Sequence, residues 1–385
     1  MTPVLFVTTV LAPDGAGRAL EALAAALARH YSITICSLTH AEAGMSAHLV
    51  RAGVCIETLH MRGRLDGAVA WRLAALCRRL EPAIVHTQLS RADWIGRLVA
   101  AAVRRPLVVT TIQNVHSEMY RAEFGWKGAV AGRILDRCTS SLSHHVVAVS
   151  SGVRADTVAS GVARRRVSVI PNGVDLSRRQ SVLGRDAARA ALGLGPGETV
   201  VGCSALLKPQ KGLADLADAV ELLAARGVRA TVVVLGDGPL RRVLETRAAR
   251  LARGPARLRL AGWRDEAMAW MAAFDVFVLP SRWEGLPVAL VEAMSLGIPA
   301  VGTRVSGIED VIEDGVTGWL AEPANPRALA DRLGCAIASP AARARIGEAG
   351  RTSVETRFSA EAVAAAHDRL YQALLSGHNP LTIDD

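Results

Sequence analysis

The chain has 385 residues, half of them hydrophobic and 21% charged, which is enough for two folded domains and excludes an intrinsically disordered protein. Its six cysteines are scattered without a Cys-x-x-Cys pair or a Cys/His cluster, so the sequence predicts free thiols in a reducing compartment and no metal site. The net charge is +9, and residues 1–180 hold 22 Lys and Arg against 12 Asp and Glu, or +10.

The charge and the apolar segments bear on location. No run reaches the apolar length of a membrane span, and the apolar start lacks the positive residues of a signal peptide, so we expect a cytoplasmic protein. The basic N-terminal half suits a peripheral contact with the anionic inner face of the membrane, or a lipid-linked phosphate. An Arg-rich surface without a specific partner is the alternative. No nucleic-acid motif is present, so no nucleic-acid partner is predicted.

Strands and helices alternate through the N-terminal half. The sequence predicts apolar strands at 4–10, 33–38, 55–59, 84–87 and 107–111. Helical patterns separate several of them, at 66–80 and 90–103. This alternation predicts an α/β fold with a parallel, doubly wound sheet.

A glycine-containing turn follows the first strand. It reads Asp14-Gly15-Ala16-Gly17-Arg18 and precedes a long Ala/Leu helix. Backbone N–H groups at such a turn can bind an anion, which makes Gly15 a candidate contact. A tight turn without a ligand fits the same residues, and both interpretations stay open.

Polar side chains follow the strands that end near residues 87 and 111. Ligands of doubly wound sheets bind outside the carboxyl ends of the strands. That rule selects a set of candidates: His86, Gln88, Asp93, Gln113, Asn114 and His116. A histidine can exchange a proton near neutral pH, whereas a glutamine can only donate and accept hydrogen bonds. His116 fits a catalytic role and equally a loop position without one.

The boundary between two domains falls after VSVIPNGVD, where a strand runs into an Asn-Gly turn. We expect an N-terminal domain at 1–178, a C-terminal domain at 190–358 and a separate C-terminal helix at 359–376. The second domain begins with a strand that leads to Lys211, at the start of a helix. A lysine there can reach a diphosphate as a point charge, and an exposed loop lysine is the alternative.

Residues 276–302 carry the strongest local signal, VFVLPSRWEGLPVALVEAMSLGIPAVG. The apolar run 276–279 predicts a strand buried on both faces. Pro287 is predicted as the first residue of a helix, where its missing N–H would be unpaired anyway. The helix should run to about Leu296, with Gly297 as its cap.

An anion site is predicted at the beginning of this helix, where free backbone N–H groups and the helix dipole meet. Its members are Gly285, Leu286, Pro287 and Val288. Two carboxylates flank it, Glu284 in the loop and Glu292 in the helix. Their spacing covers at most about 12 Å in a helix, roughly the reach from a transferred sugar to the ribose of its nucleotide. Two solvated glutamates are the alternative.

These motifs carry a family resemblance. SRWEGLPVALVEAMSLGIPAV resembles the donor-site signature of the retaining glycosyltransferase family 4, and TRVSGIEDVIEDGVTGWL continues that pattern. PAIVHTQLSRADW and VSVIPNGVD resemble its N-domain segments. The resemblance implies the GT-B fold, in which two Rossmann-like, doubly wound domains face a central cleft and a C-terminal helix crosses back to the N-domain.

The resemblance also implies an activity. It implies a nucleotide-sugar-dependent hexosyltransferase that moves a sugar to a hydroxyl of a glycan or lipid-linked acceptor with retention of configuration, in polysaccharide or glycolipid biosynthesis. The donor would be a UDP- or GDP-sugar, with no metal and no further cofactor. Glu284 would hold the sugar, Glu292 the ribose and Lys211 the diphosphate. The turn that contains Gly236 and Gly238 would approach the nucleotide closely.

Two positions depart from the family pattern. Most relatives carry a sugar-contacting His where this chain has Gln113, so either Gln113 orients a hydroxyl or His116 has taken over. Relatives also carry an Arg where this chain has Leu206, and Lys208 could substitute for it. These departures favour one alternative, a GT-B protein that binds a nucleotide sugar without transfer. A GT-B phosphorylase or epimerase is another.

Overall fold

The structure is a computed structural model that describes residues 1–63, 66–103 and 106–378. The chain divides into two compact units, which are Met1–Val174 with the described part of Ala360–Asp385, and Asp175–Ser359. The stretch that we expected between the two domains lies in the second unit. It forms a 3₁₀ turn at Leu176–Ser181 and a helix at Arg185–Ala191, so it is structured chain rather than a bare connection.

The first unit contains a wholly parallel sheet of seven strands. They are β1 Thr2–Thr8, β2 Tyr31–Ser37, β3 Cys55–Thr58, β4 Ile84–Gln88, β5 Leu107–Ile112, β6 His145–Ala148 and β7 Val167–Val169. Their order across the sheet is β3-β2-β1-β4-β5-β6-β7. The order reverses direction between β1 and β4, which is the point where doubly wound sheets bind ligands.

Six helices of the first unit connect these strands. They are α1 Gly15–Leu27, α2 Ala43–Arg51, α3 Ala68–Leu80, α4 Ser90–Val103, α5 His116–Ser140 and α6 Ser151–Ala159. The inner strands β1, β2, β4, β5 and β6 are largely buried on both faces, because helices cover the sheet on each side, whereas the edge strands β3 and β7 are partly exposed. Gly125 has a positive φ and kinks α5 near its middle.

The second unit repeats this architecture with six parallel strands. They are β8 Val200–Ser204, β9 Ala230–Leu235, β10 Ala256–Gly262, β11 Val276–Leu279, β12 Ala300–Thr303 and β13 Trp319–Ala321. Their order, β10-β9-β8-β11-β12-β13, is that of a dinucleotide-binding sheet, and the reversal falls between β8 and β11. The helices are α7 Arg185–Ala191, α8 Leu213–Ala225, α9 Arg241–Leu251, α10 Ala267–Met271, α11 Val288–Ser295, α12 Pro326–Ala338 and α13 Pro340–Arg357.

The last helix, α14 (Ala360–Leu375), belongs to the first unit. It packs beside α1 and contributes Val363, Leu370 and Tyr371 to the core on that face of the sheet. Tyr371 is fully buried and its hydroxyl is hydrogen-bonded to Nδ1 of His86 at 2.5 Å. Within the described residues, no helix combines the length and apolar composition needed to cross a bilayer.

Candidate functional site

Two loops meet at the point in the second sheet where the strand order reverses. One follows β8 and leads to Lys211, and the other follows β11 and contains Glu284. Because β8 and β11 are adjacent and parallel, their carboxyl ends bring the two loops together. A pair of residues 73 positions apart in the chain thus becomes a contact.

That contact is an ion pair in a largely enclosed position. Nζ of Lys211 lies 2.6 Å from Oε1 of Glu284, which is only 4% exposed. The same oxygen accepts a hydrogen bond of 2.6 Å from Oγ of Ser281. An ammonium group has three donors, so Lys211 can bind Glu284 and still offer two hydrogen bonds to phosphate oxygens.

Further contacts fix the two loops against each other. The backbone N–H of Arg282 donates to the carbonyl of Gln210 at 2.8 Å, and the side-chain amide of Gln210 donates to the carbonyl of Trp283 at 3.1 Å. The Arg282 guanidinium also binds both carboxylate oxygens of Asp215 at 3.0 Å. Such a bidentate pair has a defined geometry, so it holds the Glu284 loop in one position relative to Lys211.

The predicted anion site has the required free donors. Among the described residues, the backbone N–H groups of Gly285, Leu286, Val288 and Ala289 donate no hydrogen bond. The first three of these residues are buried. Unpaired N–H groups in buried residues are rare in folded proteins, so their presence before α11 is consistent with a bound anion.

The position of Pro287 differs from the prediction. With a ψ of 104° it is the extended residue that precedes α11, and Val288 is the first helical residue. Pro287 therefore aims the chain into the helix and contributes no donor to the anion site. Glu292 lies in the second turn of α11 and is half-buried. The helix ends at Ser295, and Gly297 follows with a φ of 74°.

Packing within the second unit explains why the turn after β9 has glycine at two positions. A Cβ at Gly236 would lie 2.0 Å from the carbonyl oxygen of Ala205, and one at Gly238 would lie 2.9 Å from the amide nitrogen of Leu207. Both glycines have strongly positive φ angles. The turn thus packs on the loop after β8. A role for either glycine in nucleotide binding stays a prediction.

The two positions that depart from the family pattern have different surroundings. Leu206, which replaces the usual arginine, is 38% exposed beside Lys208, whose side chain is also exposed. Gln113 is held on both sides. Its Nε2 donates to Oε1 of Gln88 at 3.2 Å, and its Oε1 accepts from Nδ2 of Asn172 at 2.9 Å. This arrangement orients the Gln113 amide but leaves it unable to exchange a proton.

His116 has a carboxylate partner that the sequence did not reveal. Its Nδ1 lies 2.7 Å from Oδ2 of Asp136, near the other end of α5, which leaves Nε2 for a substrate. Asp136 also accepts hydrogen bonds from Nε1 of Trp94 at 2.7 Å and the hydroxyl of Tyr120 at 3.0 Å. Burial opposes the charge of Asp136, but these bonds and the His116 ring hold its pKa below the ordinary value.

A second buried carboxylate lies near this pair. Asp93 is fully buried, and neither of its oxygens has a hydrogen-bond partner among the described residues. Burial raises the pKa of Asp93, and the nearby Arg97 partly offsets that effect. Arg97 is itself buried and donates to the hydroxyls of Thr110 and Thr139, both at 3.1 Å.

Two candidates in the first unit have surroundings that the sequence did not indicate. Gly15 is an exposed first residue of α1, and the carboxylate of Asp14 already accepts from the N–H of Gly17 at 2.8 Å. An anion at that turn would compete with Asp14, so its binding role stays a prediction. His86 points into the core between Tyr371 and Thr111, not toward the end of the strand.

Several functional residues that the sequence did not indicate can be recognised only from their contacts in the folded structure. These residues are Asp136, Trp94, Tyr120, Gln210, Asp215 and Arg282. Each acts through a partner that is distant in the sequence, and no local pattern marks such a contact. Among the described residues, no group of three His, Cys, Asp or Glu side chains could hold a metal ion.

Comparison with known proteins is consistent with this geometry. The family model of glycosyl transferases group 1 matches residues 198–339, and that of Glycosyltransferase Family 4 matches residues 13–178. The chain is 29% identical over 247 residues to the UDP-Gal:alpha-D-GlcNAc-diphosphoundecaprenol alpha-1,3-galactosyltransferase of Escherichia coli, and this match covers 62% of each chain. The match with the capsular polysaccharide biosynthesis glycosyltransferase CapM of Staphylococcus aureus is 21% identical and covers 79% and 80%.

Solved structures show the same fold. The Anabaena protein Alr3699/HepE in complex with UDP and glucose superposes with a TM-score of 0.81 at 21% identity, over 97% of this chain and all of that one. The catalytic domain of Starch Synthase IV from Arabidopsis thaliana gives a TM-score of 0.74 at 18% identity, over 97% and 99%. The expected class, two Rossmann-like α/β domains of the GT-B type, is confirmed. The chain belongs to the group 1 glycosyltransferases of the family 4 type.

Proposed function

We propose that this protein transfers a hexose from a nucleotide-sugar donor to a hydroxyl of a glycan or lipid-linked acceptor, in polysaccharide or glycolipid biosynthesis. The observation that carries the proposal is the ion pair of Lys211 and Glu284 beside the unpaired N–H groups that precede α11. A sugar diphosphate fits this site better than a neutral ligand does. The site offers one cation, several backbone amides without a hydrogen-bond partner and one enclosed carboxylate.

The arrangement fits the departure of a nucleoside diphosphate. Negative charge grows on the phosphate oxygen as its bond to the sugar breaks, and fixed donors in an enclosed site stabilise that charge. Lys211 and the amides of Gly285, Leu286 and Val288 would supply those donors. Glu284 would accept hydrogen bonds from the sugar hydroxyls, and Glu292 from the ribose. We propose retention of configuration, which the family 4 resemblance supports.

A UDP-sugar is the donor that we favour. The Escherichia coli relative has UDP-Gal in its name, and the Anabaena structure holds UDP and glucose. The same relative acts on a diphosphoundecaprenol-linked sugar, which favours a lipid-linked acceptor and a place at the inner face of the membrane for this chain.

The acceptor side would be supplied by the first unit. Gln113 is oriented by two hydrogen bonds and could position a hydroxyl. His116 has one nitrogen on Asp136 and could receive a proton at the other, in the manner of a carboxylate-supported base. The two residues offer different chemistry, so substitution separates their roles. If His116 is the base, His116→Gln should lower the transfer rate without weakening donor binding. If Gln113 only orients the hydroxyl and no protein base is needed, His116→Gln should leave the rate unchanged.

Nucleotide binding is tested first. We expect UDP to raise the melting temperature more than GDP, ADP or TDP, because a ligand at 100 times its Kd adds about 2.7 kcal/mol to stability. Donor hydrolysis by the wild type is then compared with Glu284→Gln and with Glu348→Gln, an exposed glutamate in the same unit. Loss of hydrolysis in Glu284→Gln alone supports the proposal.

The alternatives have their own outcomes in the same assay. Nucleotide binding without hydrolysis or transfer, with or without acceptor, would establish a non-catalytic GT-B protein. Leu206 and Gln113 are the observations that keep this second candidate in view. Epimerised donor in the absence of acceptor, or sugar phosphate formed from orthophosphate, would establish the epimerase or the phosphorylase.

A further inference from the structure

A small cavity in the first unit is lined by residues of α1, α14 and the strands β4 and β5, together with the turn at 170–173. It has room of about 20 Å³ for the centre of a water molecule. A single water molecule needs roughly 10–15 Å³, so the cavity can hold water but not a sugar or a nucleotide. The polar groups of the lining decide whether a water molecule is stable there.

Two nitrogen atoms of this lining have no hydrogen-bond partner within the part of the chain that the structure describes. They are Nε2 of Gln88 and Nε2 of His367, whose side chains belong to residues only 4% and 2% exposed. The ring of His86 also lines the cavity, but both of its nitrogens are already paired, with Tyr371 and with Thr111. Buried nitrogens without a partner are rare because nothing compensates for their lost hydration. Two of them beside one small cavity therefore indicate a molecule between them.

The two nitrogens have complementary hydrogen-bonding roles. Nδ1 of His367 lies 3.0 Å from the carbonyl oxygen of Val363, which can only accept, so Nδ1 carries the proton. Burial lowers the pKa of His367 to about 4, so near pH 7 the ring is neutral and its Nε2 is an acceptor. The amide nitrogen of Gln88 is a donor, because Oε1 of the same amide already accepts from Gln113. A water molecule can accept from one and donate to the other, whereas a metal cation cannot bind an N–H donor.

We infer that this cavity binds one water molecule, which links Gln88 to His367 and makes His367 a positioning residue for Gln113. The hydrogen bonds then form a series that runs in one direction. Asn172 donates to Gln113, Gln113 to Gln88, Gln88 to the water, the water to His367, and His367 to the carbonyl of Val363. Each member fixes the orientation of the next, because a reversed amide would bring two donors or two acceptors together.

The direction of this series decides what Gln113 can offer to a substrate. Its Oε1 accepts from Asn172 at 2.9 Å, and one hydrogen of its Nε2 is directed to Gln88 at 3.2 Å. The second hydrogen of Nε2 stays available, so Gln113 presents a donor to a hydroxyl oxygen of the acceptor substrate. This consequence for Gln113 rests on the proposed sugar transfer, whereas the water site does not.

Helix α14 supports this series at both of its ends. Gly173, which follows Asn172, packs so closely on α14 that an added Cβ would lie 3.2 Å from the side chain of Val363. His367 lies one turn further along the same helix and lines the cavity beside Gln88. The last helix of the chain therefore holds the Gln113 amide through the Asn172 turn on one side and through the water on the other.

A crystal structure of the full chain without nucleotide or acceptor, at a resolution that shows ordered water, tests the site independently of activity. We expect one water molecule within about 2.7–3.2 Å of Nε2 of both Gln88 and His367. His367→Leu should lose this water, whereas His367→Gln should keep it, because a glutamine oxygen can accept at a similar reach. A direct bond between Gln88 and the His367 ring, or a cavity without ordered water, would overturn the inference. So would nitrogen NMR that finds the His367 proton on Nε2.

Transfer kinetics test the positioning role. His367→Leu should lower kcat/KM for the acceptor substrate about tenfold, while the Kd for the donor nucleotide stays that of the wild type. His367→Gln should restore most of the rate, and Arg369→Leu, which changes an exposed residue of the same helix, should behave like the wild type. Equal losses in His367→Leu and His367→Gln would indicate packing alone and overturn the positioning role, as would a His367→Leu enzyme with the wild-type rate. A wild type without transfer would refute the sugar transfer, and the crystal structure would still decide the water site.

Discussion

Replacing Lys211 with methionine tests the electrostatics of the donor site. The variant keeps most of the side-chain volume but removes the cation from Glu284, which would retain only the hydrogen bond from Ser281 among the contacts described above. Loss of a hydrogen bond to a charged group costs roughly 1.5–3 kcal/mol, and a fully orphaned buried charge costs roughly 3–5 kcal/mol. Because Lys211 is 19% exposed and Ser281 remains, we expect about 2 kcal/mol.

Thermal unfolding measures this loss. The second unit, Asp175–Ser359, has 359 − 175 + 1 = 185 residues. For a unit of this size each kcal/mol shifts the melting temperature by about 2–4 °C, so Lys211→Met should melt about 4–8 °C lower. Lys208→Met changes an exposed lysine in the same loop and should leave the melting temperature unchanged.

A double-mutant cycle shows whether the loss belongs to the pair. Glu284→Gln alone leaves Lys211 without its anion, whereas Lys211→Met with Glu284→Gln leaves no charge unpaired. The double variant should therefore lose about 1–2 kcal/mol less than the sum of the two single variants. Strict additivity, or a Lys211→Met protein as stable as the wild type, would show that the two charges do not interact and that our account of the donor site is wrong.

Three further predictions concern other parts of the chain. Burial lowers the pKa of His367 to about 4, below the usual 6.5 of the unfolded chain, so its contribution is complete above about pH 6.5 and is lost as the pH falls. Urea unfolding should show lower stability at pH 5 than at pH 8, and His367→Gln should reduce that difference by roughly 2 kcal/mol, which is the His367 share beside those of other buried histidines such as His145. Glu292→Ala should weaken UDP binding in calorimetry by roughly 1.5–3 kcal/mol, and unchanged affinity would remove Glu292 from the site. Gly236→Ala should destabilise the second unit by more than about 1 kcal/mol. In the control Gly227→Ala the new Cβ would have open space, so the substitution costs only the strain of the positive φ. Equal melting temperatures of the two variants would contradict the packing described for the Gly236 turn.

Local signals predicted the strand, loop and helix around Glu284 because each is specified by neighbouring residues. The apolar run of β11, the loop prolines and Gly297 all act within a few positions of one another. The error at Pro287 has the same scale, since a proline fits the residue before a helix as well as the first residue within it. The sequence pattern therefore predicted helix α11 but placed its first residue one position too early.

The contacts that complete the site could not be predicted in this way. Lys211 and Glu284 meet because β8 and β11 are neighbours, and the strand order is a property of the whole sheet. Asp136 reaches His116 from the far end of a kinked helix. In both cases the sequence shows the two residue types. The distance between their side chains, which decides whether they can interact, depends on how elements far apart in the chain pack together.

Helix α5 shows a third reason for failure. A surface helix is found in a sequence by the alternation of an apolar inner face with a polar outer one. In α5 the inner face carries Asp136 and Gly132, while Trp126, Val130 and Ile134 lie outside. The usual pattern is thus inverted over part of the helix, and the periodicity there predicts no helix. The helix could not be predicted from the sequence because these positions break the apolar periodicity by which a surface helix is found.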